Sequence, residues 1–419
     1  MAEGIARKGI SIGIMANTLE WVDYALYGAF SAVMAPLFFP SSDAFASQLA
    51  VFGVFALGFV ARPVGGAIFG HIGDRVGRRN ALFFSIALMA IPTAFIGLLP
   101  TYAQIGAWAP ALLTGIRILQ GLAIGGEHAG AMVSLVENAP PGKRGQLGSW
   151  AEIGCLLGTL VGGQLCSAAL SAILSTEAYT TWGWRVPFLL SICLVYVGFQ
   201  LKKHLEESPS KKRSIHMPIV EVLKKHKKPA LWTMFITFFS GISFYSLLVF
   251  LPNYIVLSGK GSVSCAFFIT AMTNACMVPT TFFAGWVTDY FRQRKRFLQI
   301  SVVGVLCAVC PMAVALHTNH LFVYGIFHLM SGIFLSFYYG GRAAFFAETF
   351  PAHVRYTAVS CALGLGQAIA GGTAPFISTY LVELSGDIRI IILQFAFGAA
   401  FALYAFSKVQ DRTALPFQE

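Results

Sequence analysis

Charge is what this chain has least of. Only 11% of its 419 residues are Asp, Glu, Lys or Arg, against 56% apolar, whereas a soluble domain carries about 25% charged residues. That is too little polar side chain to coat a soluble surface, and the mean hydropathy of +0.70 agrees. Acidic residues are scarcest, 18 against 29 basic. The apolar runs lack period-2 alternation, which excludes a transmembrane barrel. A disulfide framework is missing too: the eight cysteines lie in apolar runs. The one C-x-x-C, Cys307 and Cys310, has no basic neighbours, so neither redox nor metal chemistry is expected of it. No nucleophile–base pair, metal-ligand spacing or phosphate loop appears. An enzyme is therefore not expected, and neither is a cofactor. A cleavable leader is not expected either, because the first apolar run is too long for one.

What is present is a series of apolar segments about 20 residues long, the length that crosses a bilayer core of about 30 Å. Twelve can be drawn, at roughly 10–39, 48–70, 80–99, 106–137, 146–172, 183–201, 229–257, 263–288, 297–317, 321–348, 354–384 and 388–408. The expected fold is an all-α membrane protein. Arg62, Arg117 and Arg342 are placed within spans, and of the other Lys and Arg all but Arg185, Lys260 and Arg389 fall on one side. By the positive-inside rule that side is cytoplasmic, and both termini lie there. The net charge of +11 is thus a topology signal, and no nucleic-acid partner is expected. The partner is the lipid bilayer of the inner (plasma) membrane.

The longest polar connector, 201–229, divides the segments six and six, giving halves 1–200 and 230–419. Its "PIVEVLKKHKK" fits either a short amphipathic surface helix or a solvated basic loop. The halves repeat. Glu137-x-x-Pro140-x-x-x-Arg144 returns as Glu348-x-x-Pro351-x-x-x-Arg355, an offset of 211, and Gly70-x-x-x-Asp74 returns as Gly285-x-x-x-Asp289, an offset of 215. Two motifs at nearly one offset imply two six-helix bundles related by an axis along the membrane normal, with a substrate site at their interface.

The connector "GHIGDRVGRRN" at 70–80 resembles the signature loop of the major facilitator superfamily. Its Gly70, Asp74, Arg75, Gly77, Arg78 and Arg79 are implied to close the cytoplasmic side. Glycine there permits a tight turn, and Asp74 is expected to meet a helix N-terminus or a base of the other half. Glu137, Arg144, Asp289, Glu348 and Arg355 are expected to belong to the same gate. Further stretches, among them "NTLEWVDYALYGAF" at 17–30, "RPVGGAIFG" at 62–70, "QGLAIGGEHAGA" at 120–131 and "WGWRVPFLLS" at 182–191, resemble the metabolite:proton symporters of that superfamily. The resemblance implies twelve helices in two pseudo-symmetric bundles, a monomer, and proton-driven import of a small metabolite such as proline, betaine, 2-oxoglutarate or citrate. One departure is His128, where the family usually has an aromatic after "GGE".

An ionisable group inside a bilayer costs roughly 2.5–3.5 kcal/mol on insertion scales and is a functional candidate by default. For the proton, the candidates are Asp23, Glu127, Glu20 and His128. Asp23 and Glu20 are three apart on one helix face. For the substrate, they are Arg117, Glu152 and Arg342, with Gln120 and the aromatics Tyr24, Tyr27, Trp150, Tyr245 and Tyr338. Arg117 can fit a carboxylate bidentately or staple helices. Glu152, in "GSWAE", resembles the proline/betaine branch, and an acid beside a guanidinium suits a zwitterion. Counted with Arg62, the arginines instead suit a di- or tricarboxylate. Arg342 must find an anion, either a protein carboxylate or the substrate.

Overall fold

The computed structural model describes residues 15, 17–22, 24–76, 78–123, 127–196, 200, 218–413, 415 and 417, with the side chains of 66, 67, 69–76, 78–83 and 127 outside that description. Helical segments stand in all twelve expected stretches, and no strand occurs among the described residues. Eight of the described helices are long and apolar enough to cross a membrane, and Phe84–Leu98 is a shorter apolar one. Their backbone polar groups are satisfied within the helix, which is what hydrocarbon demands.

The second span is Ala44–Val76, the third Arg78–Leu98, and the fourth Trp108–Ala123 with Glu127–Glu137. The eighth, ninth and tenth are Val263–Phe291, Arg294–His317 and Leu321–Thr349. Prolines 63, 92, 279 and 311 lie inside helices, where membrane helices tolerate them. Glycine decides how closely some spans approach. A Cβ on Gly121 would collide with the carbonyl of Gly58, so the second and fourth spans cross nearly backbone to backbone.

Two local features differ from the sequence reading. The connector at 70–80 is mostly helix, since the second span runs to Val76 and the third restarts at Arg78. Its charged residues extend the helices beyond the apolar stretch, where Asp and Arg are compatible with helix. The other difference is a set of π-helical insertions: Thr159–Leu165 in the fifth span, Ser246–Phe250 in the seventh and Gln367–Gly371 in the eleventh. Apolar periodicity carries no signal for them.

The halves meet in symmetric pairs. The second span packs on the eleventh as the eighth packs on the fifth, and the first packs on the seventh. The third and sixth, and their mates the ninth and twelfth, stand outside and contact their own half. In the connector between halves, residues 201–217 lie outside the described residues. Pro218–Lys225 is a short helix that buries Val222 and lies along Ala352–Gly366. There Glu221 pairs with Lys225 at 3.0 Å and with His353 at 3.4 Å. These bonds, Lys225's first, hold the Glu221 carboxyl below its usual range.

Candidate functional site

Near the middle of the interface, Glu152 of the fifth span meets Arg342 of the tenth. Both are 2% exposed. Arg342 Nε donates to Glu152 Oε1 at 3.0 Å, and Nη2 donates to Oε1 at 2.6 Å and Oε2 at 2.7 Å. Its Nη1 donates to Ser240 Oγ at 2.9 Å, and the guanidinium stands 4.7 Å from the Tyr339 ring centroid. This settles Arg342's partner: it is a protein carboxylate from the other half. A fork-to-carboxylate pair is strong, but its burial removes both charges from water. Taking away one partner of such a pair costs about 3–5 kcal/mol.

His128 completes the group. Its Nε2 lies 3.4 Å from Arg342 Nη2 and 3.8 Å from Glu152 Oε2, while Nδ1 lies 3.2 Å from Asn17 Oδ1. Trp21 stands edge-on to the imidazole at 5.8 Å and to Phe244 at 5.5 Å. Tyr245 packs on Phe244 at 5.1 Å, Phe59 at 5.2 Å and Phe55 at 5.7 Å. An ion pair is therefore walled by aromatic rings at the contact of the two halves.

A second cationic group sits in the N-terminal half. Arg62 Nε donates to the Tyr24 hydroxyl at 3.3 Å, its guanidinium is 3.9 Å from the Phe59 ring, and buried Glu20 is within its electrostatic reach. Arg117 is fully buried 4.3 Å from the Tyr27 ring, and it donates to Gln120, which donates on to Thr93. The Tyr27 hydroxyl donates to the Val51 carbonyl. Trp150 is placed elsewhere, while Tyr338 stays within electrostatic range of Arg342. Trp150 packs on Phe282 at 5.5 Å, because two helical residues turn it about 200° from Glu152. Tyr338 donates to the Ile236 carbonyl at 2.6 Å. Asp23 and the side chain of Glu127 lie outside the described residues. Asn17, Trp21 and Ser240 were missed. Asn17, Trp21 and Tyr24 share one helix face with Glu20, a signal that was legible.

At the end of the bundle bearing the basic connectors, the repeat motifs exchange partners. Arg355 pairs with Glu137 at 2.6 Å, and Arg144 with Glu348 at 3.5 Å. Each half thus supplies the base for the other's acid. Asp289 accepts from the backbone N–H groups of Gly145 and Gln146 at 2.9 and 2.8 Å, at the start of the fifth span, and from Arg294 at 2.7 Å. Arg294 also holds Glu348 at 3.1 Å. A Cβ on Gly285 would stand 2.7 Å from the Gly145 carbonyl, so the motif glycine is what lets Asp289 reach that helix end. Phe417 lies 3.7 Å from the Arg355 guanidinium and 4.2 Å from that of Arg144. Gly77 and the side chains of Asp74, Arg75, Arg78 and Arg79 are outside the described residues, as is anything beyond the backbone at Gly70.

Known proteins agree with this architecture. Residues 19–327 match the Major Facilitator Superfamily. The proline/betaine transporter of Salmonella typhimurium is 30% identical over 403 residues, covering 93% of this chain and 80% of that protein. A putative proline/betaine transporter of Staphylococcus haemolyticus is 34% identical over 392 residues, covering 91% and 83%. The crystal structure of a D-xylose–proton symporter superposes with a TM-score of 0.79 at 18% identity, covering 97% of this chain and 98% of that one. That likeness speaks to the fold alone. With curated transporters aligned over most of its length and a twelve-helix fold to match, the chain is a multi-pass membrane transporter, not an enzyme, and belongs to the major facilitator superfamily.

Proposed function

We propose that this protein is a proton-coupled symporter that imports a small zwitterionic osmolyte or amino-acid-like metabolite by alternating access. It would work as a monomer in the inner membrane with both termini cytoplasmic. Halves 1–200 and 230–419 would rock about the central site, linked by 201–229. The observation that carries this reading is the buried Glu152–Arg342 pair between the halves. A site holding one charge of each sign suits a ligand that brings one of each. The substrate carboxylate takes the planar fork of Arg342. The ammonium faces Glu152 and the rings of Trp21, Phe244 and Tyr339, which attract a cation. The relatives' names point the same way, as does that of a glycine betaine/proline/ectoine/pipecolic acid transporter of Dickeya dadantii, 30% identical over 401 residues.

The competing reading, a di- or tricarboxylate, counted Arg342 as free positive charge. Glu152 already neutralises it, so a second substrate carboxylate would meet an anion. The test is uptake of labelled proline, betaine, 2-oxoglutarate and citrate into proteoliposomes under an imposed pH gradient, acid outside. Accumulation of proline or betaine is expected. Accumulation of citrate or 2-oxoglutarate alone would contradict the reading, and binding without uptake would make the protein a sensor.

A further inference from the structure

The contacts of His128 fix which of its nitrogens carries the proton. Asn17 Nδ2 donates to the Ala151 carbonyl, and this orients the amide so that Oδ1 faces the imidazole at 3.2 Å. An amide oxygen can only accept, so His128 Nδ1 carries the hydrogen. Nε2 is then a bare lone pair. It accepts from Arg342 Nη2 at 3.4 Å and stands 3.8 Å from Glu152 Oε2. The imidazole touches both members of the ion pair through its one basic atom. Its side chain is 17% exposed where that of Glu152 is 2%, so of the two His128 is the less enclosed.

We propose that His128 Nε2 is the proton-binding site of transport and that its protonation splits the Glu152–Arg342 pair. This rests on the function proposed above and adds the atom and the coupling. A proton from the outer solution bonds to the Nε2 lone pair, and the ring becomes an imidazolium. The new N–H draws Glu152 Oε2 toward itself, and like charge repels Arg342. The guanidinium fork, released from Glu152, is open to the substrate carboxylate. On the inner side substrate leaves, Glu152 returns to Arg342, and Nε2 gives its proton to cytoplasmic water. One proton thus moves with each substrate. Without the proton, Glu152 occupies the fork and competes with substrate, which prevents uncoupled leakage.

Among the described residues, the groups facing His128 are few. The fifth span brings Glu152 and the tenth brings Arg342. The first brings Asn17 and Trp21, with Glu20 on the same helix face. The second brings Arg62 within electrostatic range. Asn17 is a positioning residue, because it sets the tautomer without touching the ion pair.

The experiment has two arms on the full-length protein. In the first, fluorescence is titrated downward from about pH 8 to about pH 4, past the range in which a solvated histidine charges. Trp21 lies edge-on to His128, and an imidazolium quenches indole. One quenching step is expected in the wild type and none in His128→Gln or Trp21→Phe. This arm needs no substrate, so it stands even if the proposed substrate class is wrong. In the second arm, His128→Gln proteoliposomes should fail to accumulate proline or betaine under a pH gradient and should exchange it at equal pH only with the high KM that the wild type shows at about pH 8, because Glu152 then stays in the fork. Wild-type KM should rise at least tenfold from pH 6 to 8, and that of His128→Gln should stay flat. Asn17→Ala should keep coupling and shift the pH at which KM rises. A quenching step that persists in His128→Gln, or accumulation by that variant at the wild-type level, overturns the proposal. Loss of exchange in the wild type for both zwitterions overturns the substrate reading and leaves the fluorescence arm to decide the proton site.

Discussion

At the scale of residues, this transporter keeps its charges in contact with one another or with aromatic rings. Arg342 and Glu152 neutralise each other across the two halves, and Arg117 and Arg62 lie against Tyr27 and Phe59. Shape matters here as much as charge. Arg342 uses Nε and Nη2 on Glu152 and Nη1 on Ser240 at the same time, and a lysine ammonium cannot reproduce that fork. Arg342→Lys is therefore expected to weaken substrate uptake at least tenfold, about 1.4 kcal/mol, as read from kcat/KM in proteoliposomes. Unchanged kinetics would remove Arg342 from the site. The sequence made Glu152 and Arg342 legible, because charged residues stand out in apolar segments. Their pairing was not legible, since it joins positions on the fifth and tenth spans that no local pattern links. The placing of Trp150 was not legible for a related reason. An aromatic side chain looks the same in sequence whether it faces the site, as Trp21 does, or a neighbouring helix, as Trp150 does.

At the scale of elements, the cross-paired Glu-x-x-Pro-x-x-x-Arg repeats are the best example of a motif explained by packing. The repeat of Glu-x-x-Pro-x-x-x-Arg predicted a functional unit, but not that each arginine would cross to the opposite half's glutamate. Asp289 caps the N-terminus of the fifth span from the other half. There it meets two backbone donors and the positive end of the helix dipole. The contact joins the two halves, so it must break if they part at this end. Asp289→Asn should therefore lower the maximal transport rate at least tenfold while KM changes by less than about threefold, because it alters switching and leaves the Glu152–Arg342 site intact. A parallel rise in KM would place Asp289 at the substrate. The π-helical insertions were illegible because they change hydrogen bonding without changing the apolar pattern. They concentrate where the halves touch. Asn274 of the eighth span donates to Thr159 and Gln164 of one insertion, and a Cβ on Gly28 of the first span would stand 3.0 Å from Val249 of another. Such insertions are frequent at functional sites.

At the scale of the whole molecule, the internal repeat, the apolar segment lengths and the basic connectors were enough to set the architecture. The second-with-eleventh and eighth-with-fifth pairing of spans follows from the two-fold relation those repeats announce. The fold was legible because a bilayer restricts a helical chain to a few arrangements. The substrate was not, because it depends on whether one arginine is paired. Its pairing with Glu152 makes the buried ion pair between the halves the proposed place for a zwitterion to bind. The most direct measurement is equilibrium binding to the purified protein of proline, of its anion-only analogue cyclopentanecarboxylate and of its cation-only analogue pyrrolidine. At about pH 8, where an imidazole is neutral, proline is expected to bind and each singly charged analogue to bind at least tenfold more weakly, since each leaves one member of the pair without a partner in the dry site. Cyclopentanecarboxylate or citrate binding as tightly as proline would contradict that proposal.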